Sequence, residues 1–404
     1  MTVGRAFRSI VGSAGKSLPE VRRHALGAAV AETAMNEIPL ARPNITQREI
    51  DAVVAVLKTP QLSLGPKVTE FEQKMARYCR TQHAVACSSG TAALHLLIRA
   101  FGIGPGDEVI TTPFSFIASA NCALFERARV VFADIDPDTW NLDPNKVAQA
   151  VTDKTKVIIP VDVFGQVADF DPVLETARPR GIRVIEDSCE ALGGCYKGKR
   201  AGSISDAGVF GFYPNKQLTT GEGGMIVTND EDIASLARSL RNQGRDTEGG
   251  WLAHPRLGYN FRISDINCAM GIVQLERMDE ILTQRQRVAE LYLKRLEGET
   301  RIRTQRIRDD VEMSWFVFVV RLADDYSQQV RDTILTKLRQ RGIGCSNYFA
   351  PIHLQPFYVE QHGYRQGDFP VTEALAARTI ALPFHHELTT DDVDRICTEL
   401  QKLL

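Results

Sequence analysis

The sequence predicts an α/β protein with a mainly parallel sheet covered on both faces, joined to a smaller α+β region at its C-terminal end. Three observations carry this expectation. From about residue 83 short apolar runs alternate with helical stretches. Glycine, proline and serine punctuate the ends of several runs. Beyond Ile266 the texture changes to one long helix-like stretch and then an independent series of strands and helices.

The elements follow in order. His83–Cys87 (HAVAC) reads as a buried strand, Ser88-Ser89-Gly90 as a turn and Thr91–Phe101 as a helix. Glu108–Thr112 is the next strand and stops at Pro113. Arg129–Ala133, Lys156–Pro160, Arg183–Ile185, Gly208–Phe212 and Gly224–Val227 are further β-rich runs, with helices between several of them, one around Asp171–Arg178. Such βαβ alternation argues for parallel strands under helices on both faces. In the C-terminal part a helical pattern runs from Ile266 to about Leu296. Ser314–Leu322 then reads as a strand, Gln328–Arg341 as a helix, Ile343–Tyr348 as a strand and Thr390–Leu403 as a closing helix. With 404 residues the chain is too long for one simple domain. The expected division is an extension over 1–36, a large domain over 37–265 and a small one over 266–404.

Composition excludes several classes. The chain is 44% hydrophobic and 24% charged, with a formal net charge of −2, so neither nucleic acid nor an anionic membrane is expected as a main partner. No apolar run approaches the ~18 residues of a membrane helix. The eight cysteines form no CxxC pair and no zinc-finger spacing, so no metal site is expected and buried free thiols are. A cytoplasmic location fits that cysteine usage. Residues 1–36 carry Arg5, Arg8, Lys16, Arg22 and Arg23 against Glu20 and Glu32. They have no compact apolar segment or clear cleavage site, so a loosely attached extension is expected rather than a targeting peptide.

Ligands of open parallel sheets gather at the carboxyl ends of the strands. Three segments place chemistry there. Cys87-Ser88-Ser89-Gly90-Thr91 would aim free N–H groups and a helix dipole at an anion, although alone it is a plain tight turn. It matches neither a Walker loop nor a dinucleotide fingerprint. Val184-Ile185-Glu186-Asp187 ends a strand in two carboxylates, which could cap a helix or pair with a protonated ring nitrogen. Phe212-Tyr213-Pro214-Asn215-Lys216, followed by Thr219-Thr220-Gly221-Glu222-Gly223-Gly224, puts a lysine in a turn between apolar strands. Most lysines are solvated, but one in such a setting can serve as an amine nucleophile.

Taken in order, SSGTAAL, IED and FYPNKQLTTGEGG resemble the DegT-type nucleotide-sugar aminotransferases, a fold-type I family dependent on pyridoxal phosphate (PLP). The likeness runs from about Ile38 to the C-terminus. It includes Gly65-Pro66 with Phe71-Glu72, Pro113–Asn121 (PFSFIASAN), Val163-Phe164-Gly165-Gln166, Arg241–Asp246 (RNQGRD), Gly258–Ile266 (GYNFRISDI) and Ala381-Leu382-Pro383.

The resemblance implies a seven-stranded large domain and a set of roles. Lys216 would carry PLP as a Schiff base and shuttle protons. Asp187 would pair with the pyridine nitrogen, and Gly90 and Thr91 would hold the phosphate. Phe116 would stack on the ring, although a Phe in an apolar run can equally be core. Asn260 would reach the cofactor phosphate of a neighbouring subunit, which implies a homodimer with shared active sites.

Two departures stand out. Glu190 occupies a position near the cofactor's phenolic oxygen where many relatives have Gln or His. Gly211 replaces a phosphate-binding serine. The implied reaction moves an amino group from glutamate or glutamine to a keto-sugar, typically a nucleotide-linked 3- or 4-keto-6-deoxyhexose. Arg245, Tyr348 and His353 fall in segments that could border the acceptor, or could simply form surface ion pairs and packing. Other readings are a keto-cyclitol aminotransferase, a PLP-dependent sugar dehydratase (in which histidine replaces the lysine) and a non-catalytic regulatory homologue. A nicotinamide oxidoreductase is disfavoured by the missing glycine fingerprint.

Overall fold

The computed structural model describes residues 37–246 and 252–404; the extension expected over 1–36 lies outside them. Ile38–Leu404 pack as one compact unit. Helix α1 (Gln47–Leu57) starts at a capping box in which Thr46 and Glu49 satisfy each other's backbone N–H groups. Helix α2 (Pro66–Cys79) has proline in its first turn, and the Asp265 carboxylate accepts from Gly65 N and Lys67 N at 2.8 and 2.9 Å.

The main sheet then assembles from β1 (His83–Cys87), β2 (Glu108–Thr111), β3 (Arg129–Phe132), β4 (Thr155–Ile159) and β5 (Arg183–Asp187). The short strands β6 (Cys195–Tyr196) and β7 (Lys199–Arg200) form a side hairpin before β8 (Ala207–Gly211) and β9 (Gly224–Thr228) complete the sheet. Its order is β1-β9-β8-β5-β4-β2-β3. All seven strands expected in this region are present. Six run in one direction; β9 is antiparallel to both β1 and β8.

Between the strands lie α3 (Gly90–Ala100), α4 (Ala118–Phe125), α5 (Pro144–Ala150) and α6 (Phe170–Ala177), and α7 (Glu231–Arg241) follows β9. Leu94, Leu97, Ile98, Val109, Ile185 and Val209 share one apolar cluster, while Ile110, Ile158 and Val184 join another with Phe170 and Leu174. Adjacent residues of one strand thus enter different clusters, which is why the strands read as continuous apolar runs.

The remainder differs from the sequence reading in three places. The helix expected over 266–296 is two, α8 (Asp265–Glu276) and α9 (Met278–Arg295). Between them Arg277 leaves helical geometry, and its buried guanidinium pairs with Glu49 at 2.7 Å. Strand β10 (Ile302–Thr304) and the short β11 (Val311–Glu312) precede β12, which covers only Phe318–Leu322 of the strand expected from Ser314. The first half is diverted, with Ser314 N bonding Gly165 O at 3.0 Å and Phe316 N bonding Phe164 O at 3.4 Å. Ile343–Tyr348 forms only single bridges, from Ile343 to Ile38 and from Ser346 to Ala381.

Helices α10 (Gln328–Gln340), α11 (Pro356–His362) and α12 (Pro370–Ala376), strand β13 (Thr379–Leu382) and helix α13 (Thr390–Gln401) finish the chain. β10, β12 and β13 make a three-stranded antiparallel sheet. It packs on an apolar cluster that includes Val288, Tyr292, Ile334, Leu338, Ile396 and Leu400. Helix α8 packs with the large sheet instead, through Cys268, Ile272 and Leu275.

Candidate active site

Because β1, β5 and β8 run in one direction, their carboxyl ends deliver three loops to one edge of the sheet. At the end of β1, Ser89 caps α3 by accepting from Ala92 N at 3.0 Å. That leaves the first-turn N–H groups of Gly90 and Thr91 without intrahelical acceptors, an anion-binding arrangement. A Cβ at Gly90 would come within 2.9 Å of Cys189 Sγ, and one at Gly224 within 2.3 Å of the Ser89 carbonyl carbon. Only glycines let β9 and the β5 loop close on the helix start this tightly. Gly211 is different: a Cβ there would meet Cys189 Sγ at an ordinary 3.4 Å.

The two carboxylates ending β5 separate by the alternation of a strand. Glu186 turns inward and accepts from Gly202 N (2.7 Å), Ile204 N (2.5 Å) and Ser205 N (2.6 Å). Burial pushes it up to about 7 against those three donors. It fastens the loop before β8. Asp187 lies buried at the carboxyl end of β5, where burial raises its pKa, and hydrogen bonding by Cys189 and the charge of Lys216 partly offset that rise.

Lys216 follows β8. Its Nζ lies 3.5 Å from Glu190 Oε1 and 3.9 Å from the centroid of the Phe316 ring. Glu190 is buried, which raises its pKa; Lys216 and the Phe164 N–H, donating to Oε2 at 2.9 Å, oppose the rise. Phe164 adopts φ +61° to present that N–H, and Gly165 follows at φ +104°. A Cβ on Gly165 would strike Ser314 O at 1.8 Å, so this turn admits only glycine.

Phe116 is 62% exposed between buried Ser115 and half-buried Ile117, so it is not a core residue. Asn260 is also exposed. Its neighbours Tyr259 and Phe261 are fixed: their rings stack at 4.8 Å, Tyr259 Oη donates to Glu126 at 2.6 Å and Ser88 N donates to Phe261 O at 2.8 Å.

The three residues considered for an acceptor site part company. Tyr348 stands beside Glu190, Asn215 and Tyr213, and burial raises its pKa. Arg245 is half-buried, with its backbone N–H bonded to Asn242 O at 3.2 Å. His353 is fully buried, packed on Phe132 and Phe369, with Nε2 3.1 Å from Glu373.

Sequence reasoning missed Gln217, Ser314, Phe316 and Arg285. Gln217 Nε2 donates to Glu190 O (2.5 Å), Ser314 O (3.0 Å) and Ser314 Oγ (3.1 Å). Arg285 binds the carbonyls of Asn215 and Lys216. One signal was available for Arg285: it interrupts the buried stripe Ile281, Val288, Ala289 and Tyr292 at helical spacing.

Six parallel strands with one reversed, serving a common carboxyl edge, make this a fold-type I PLP-transferase. Residues 43–401 match the DegT/DnrJ/EryC1/StrS aminotransferase family, and the chain belongs to it. It is similar to GDP-perosamine synthase of Caulobacter vibrioides, 40% identical over 378 residues that cover 92% of this chain and 100% of that protein. It is 37% identical to the spore coat polysaccharide biosynthesis protein SpsC of Bacillus subtilis, over 91% of this chain and 97% of that one. A putative sugar aminotransferase from Streptococcus pneumoniae, solved without cofactor, superposes with TM-score 0.87 at 31% identity, covering 91% of this chain and 97% of that one. Its PLP and pyridoxamine-phosphate forms superpose with TM-score 0.86. The present chain is therefore a PLP-dependent aminotransferase.

Proposed function

We propose that the enzyme moves an amino group from glutamate or glutamine to a keto-sugar, namely a nucleotide-linked 3- or 4-keto-6-deoxyhexose. The single observation that carries the site is the Lys216 amine, 15% exposed, held between the Glu190 carboxylate and the Phe316 face at the edge where Asp187 and the start of α3 also lie.

These residues fit the cofactor. A buried amine is available for covalent attachment. A buried carboxylate without a full counter-charge at Asp187 suits a protonated ring nitrogen. The first turn of α3, with Gly90 and Thr91, suits a phosphate. The exposed Phe116 ring offers a face for the cofactor ring. When bound, PLP supplies an electrophilic carbon and an electron sink.

The protein's part is positional and protonic. Lys216 Nζ would hold the cofactor and, as the free amine, would move the proton that transamination relocates. Asp187 keeps the ring nitrogen protonated. Glu190 shares its charge with Lys216 and the Phe164 N–H, so it can sit near the phenolic oxygen without being a lone anion. Asn260 of the partner subunit would hold the cofactor phosphate of the first, so the proposed working unit is a homodimer with shared sites. Its exposure within a firmly held segment supports that reading.

A nucleotide-linked acceptor is favoured by the end-to-end match with a protein named GDP-perosamine synthase. A retained lysine argues against the dehydratase reading. We also propose a large domain over 37–265 carrying the cofactor and a smaller one over 266–404, for which the separate apolar cluster under β10, β12 and β13 is the support. For location we propose the cytoplasm: all eight cysteines are free, and no helix among the described residues is long and apolar enough to cross a membrane.

The test is the absorption of the holoenzyme before and after glutamate or glutamine, followed by product analysis with nucleotide-linked keto-sugars. Loss of the lysine-bound band with either donor, then an aminated sugar, supports the proposal. A deoxy-sugar product in place of an amino sugar overturns it, as does amination of a keto-cyclitol alone.

A further inference from the structure

Arg285 is buried in the face of α9 that meets the Lys216 loop. Its guanidinium makes no ion pair among the described residues. Instead it donates to four main-chain carbonyls: through Nη2 to Asn215 O (3.1 Å) and Lys216 O (3.0 Å), and through Nη1 to Phe316 O (3.0 Å) and Trp315 O (3.4 Å). Burial alone lowers its pKa, to about 10. A buried cation with only neutral partners is a costly way to fill space that leucine could fill. A planar fork with parallel donors achieves something leucine cannot: it sets the spacing of two backbones.

One of those backbones carries Lys216. The other carries Phe316, whose ring lies 3.9 Å from Lys216 Nζ. We propose that Arg285 is a positioning residue for the reaction, clamping the Lys216 loop to the 315–316 segment so that the amine stays aimed between Phe316 and Glu190. Gln217 makes a parallel suture one residue along, joining the same loop to Ser314 and to Glu190 O. The clamp therefore resists rotation of the loop about a single contact. Because α9 belongs to the C-terminal part of the chain, it also makes lysine placement depend on that part being docked. The inference rests on the reading of Lys216 as the cofactor lysine.

The experiment uses holoenzymes carrying Arg285→Lys, Arg285→Met, Tyr292→Phe and Lys216→Ala. Tyr292 is on the same helix and its hydroxyl donates to Pro383 O at 2.7 Å, so its loss tests plain loosening of α9. Each variant is assayed by single turnover over a range of amino donor concentrations up to saturation, well below its Tm. A misplaced reacting group costs on the order of 10²-fold, so Arg285→Met should slow the first half-reaction by about that factor. Arg285→Lys should recover about tenfold of it, and the donor KM should stay within about threefold, because placement rather than binding is lost. Tyr292→Phe should change the rate by less than about twofold even where Tm falls. Wild-type rates in both Arg285 variants would overturn the clamp, as would losses in all three α9 variants that simply track Tm. If Arg285→Met gives no folded holoenzyme, Arg285→Lys against Tyr292→Phe decides in the same way. Lys216→Ala separates the two claims: if it keeps the lysine-bound band, the lysine assignment itself fails, whatever Arg285 does.

Discussion

The loop around Lys216 and the segments bearing Phe116 and Asn260 are built on opposite principles. Around Lys216 the loop is held within the chain: Arg285 and Gln217 suture it, and Glu190 and Phe316 face the amine, while the buried Asn215 Oδ1 and Gln217 Oε1 accept no hydrogen bond among the described residues. Phe116 and Asn260 instead project outward from anchored neighbours, with Phe116 62% exposed. One half of the proposed site is thus formed within the single chain, and the other half projects outward, as the proposed shared site requires.

Several experiments would break or sharpen that contrast. The largest effect belongs to Lys216→Ala, which should lower turnover by at least about 10⁴-fold and remove the lysine-bound absorption band, read by steady-state assay and spectroscopy. Asp187→Asn keeps the shape but removes the charge; turnover should fall by about 10²–10³-fold, measured with cofactor at saturation. Turnover near that of the wild type would remove Asp187 from the site.

Asn260→Ala should weaken cofactor retention by about tenfold, followed by dialysis against graded PLP, through loss of one charge-assisted hydrogen bond. Mixed dimers of Asn260→Ala with Lys216→Ala should retain cofactor at their one active site as tightly as the wild type, because that site carries neither lesion. If that site loses cofactor as readily as Asn260→Ala alone, the two halves belong to the same chain. Phe116→Leu should raise the cofactor Kd by about two- to tenfold, the value of one aromatic face.

The smallest effect on chemistry is expected at Glu186→Gln. Its amide would confront backbone N–H donors, so the protein should lose about 1–3 kcal/mol of stability in thermal unfolding while kcat stays unchanged. A fall in kcat as large as that of Asp187→Asn would mean the two carboxylates share a role.

Much of the architecture was legible beforehand. HAVAC, RVVFA and KVIIP read correctly as strands because a strand buried on both faces is apolar throughout, a local property. The helix that follows the Ser88-Ser89-Gly90 turn likewise starts where a side chain caps a group three residues on. The failures are all long-range. Ser314–Val317 has the composition of a strand, but its partners are a turn at Phe164–Gly165 and the side chains of Gln217 and Arg285. Ile343–Tyr348 was also read as a strand and found only isolated bridges.

By itself, then, the sequence determined the succession of strands and helices, the turns that end them and the residue types available at the strand ends. Those depend on interactions within a few residues of each other. Tertiary structure decided that β9 runs against its neighbours, that Asp187 rather than Glu186 faces the edge, that Phe116 is exposed and that an arginine about 70 residues away grips the Lys216 loop. Each of these is a choice of partner, and a partner distant in sequence leaves no local trace.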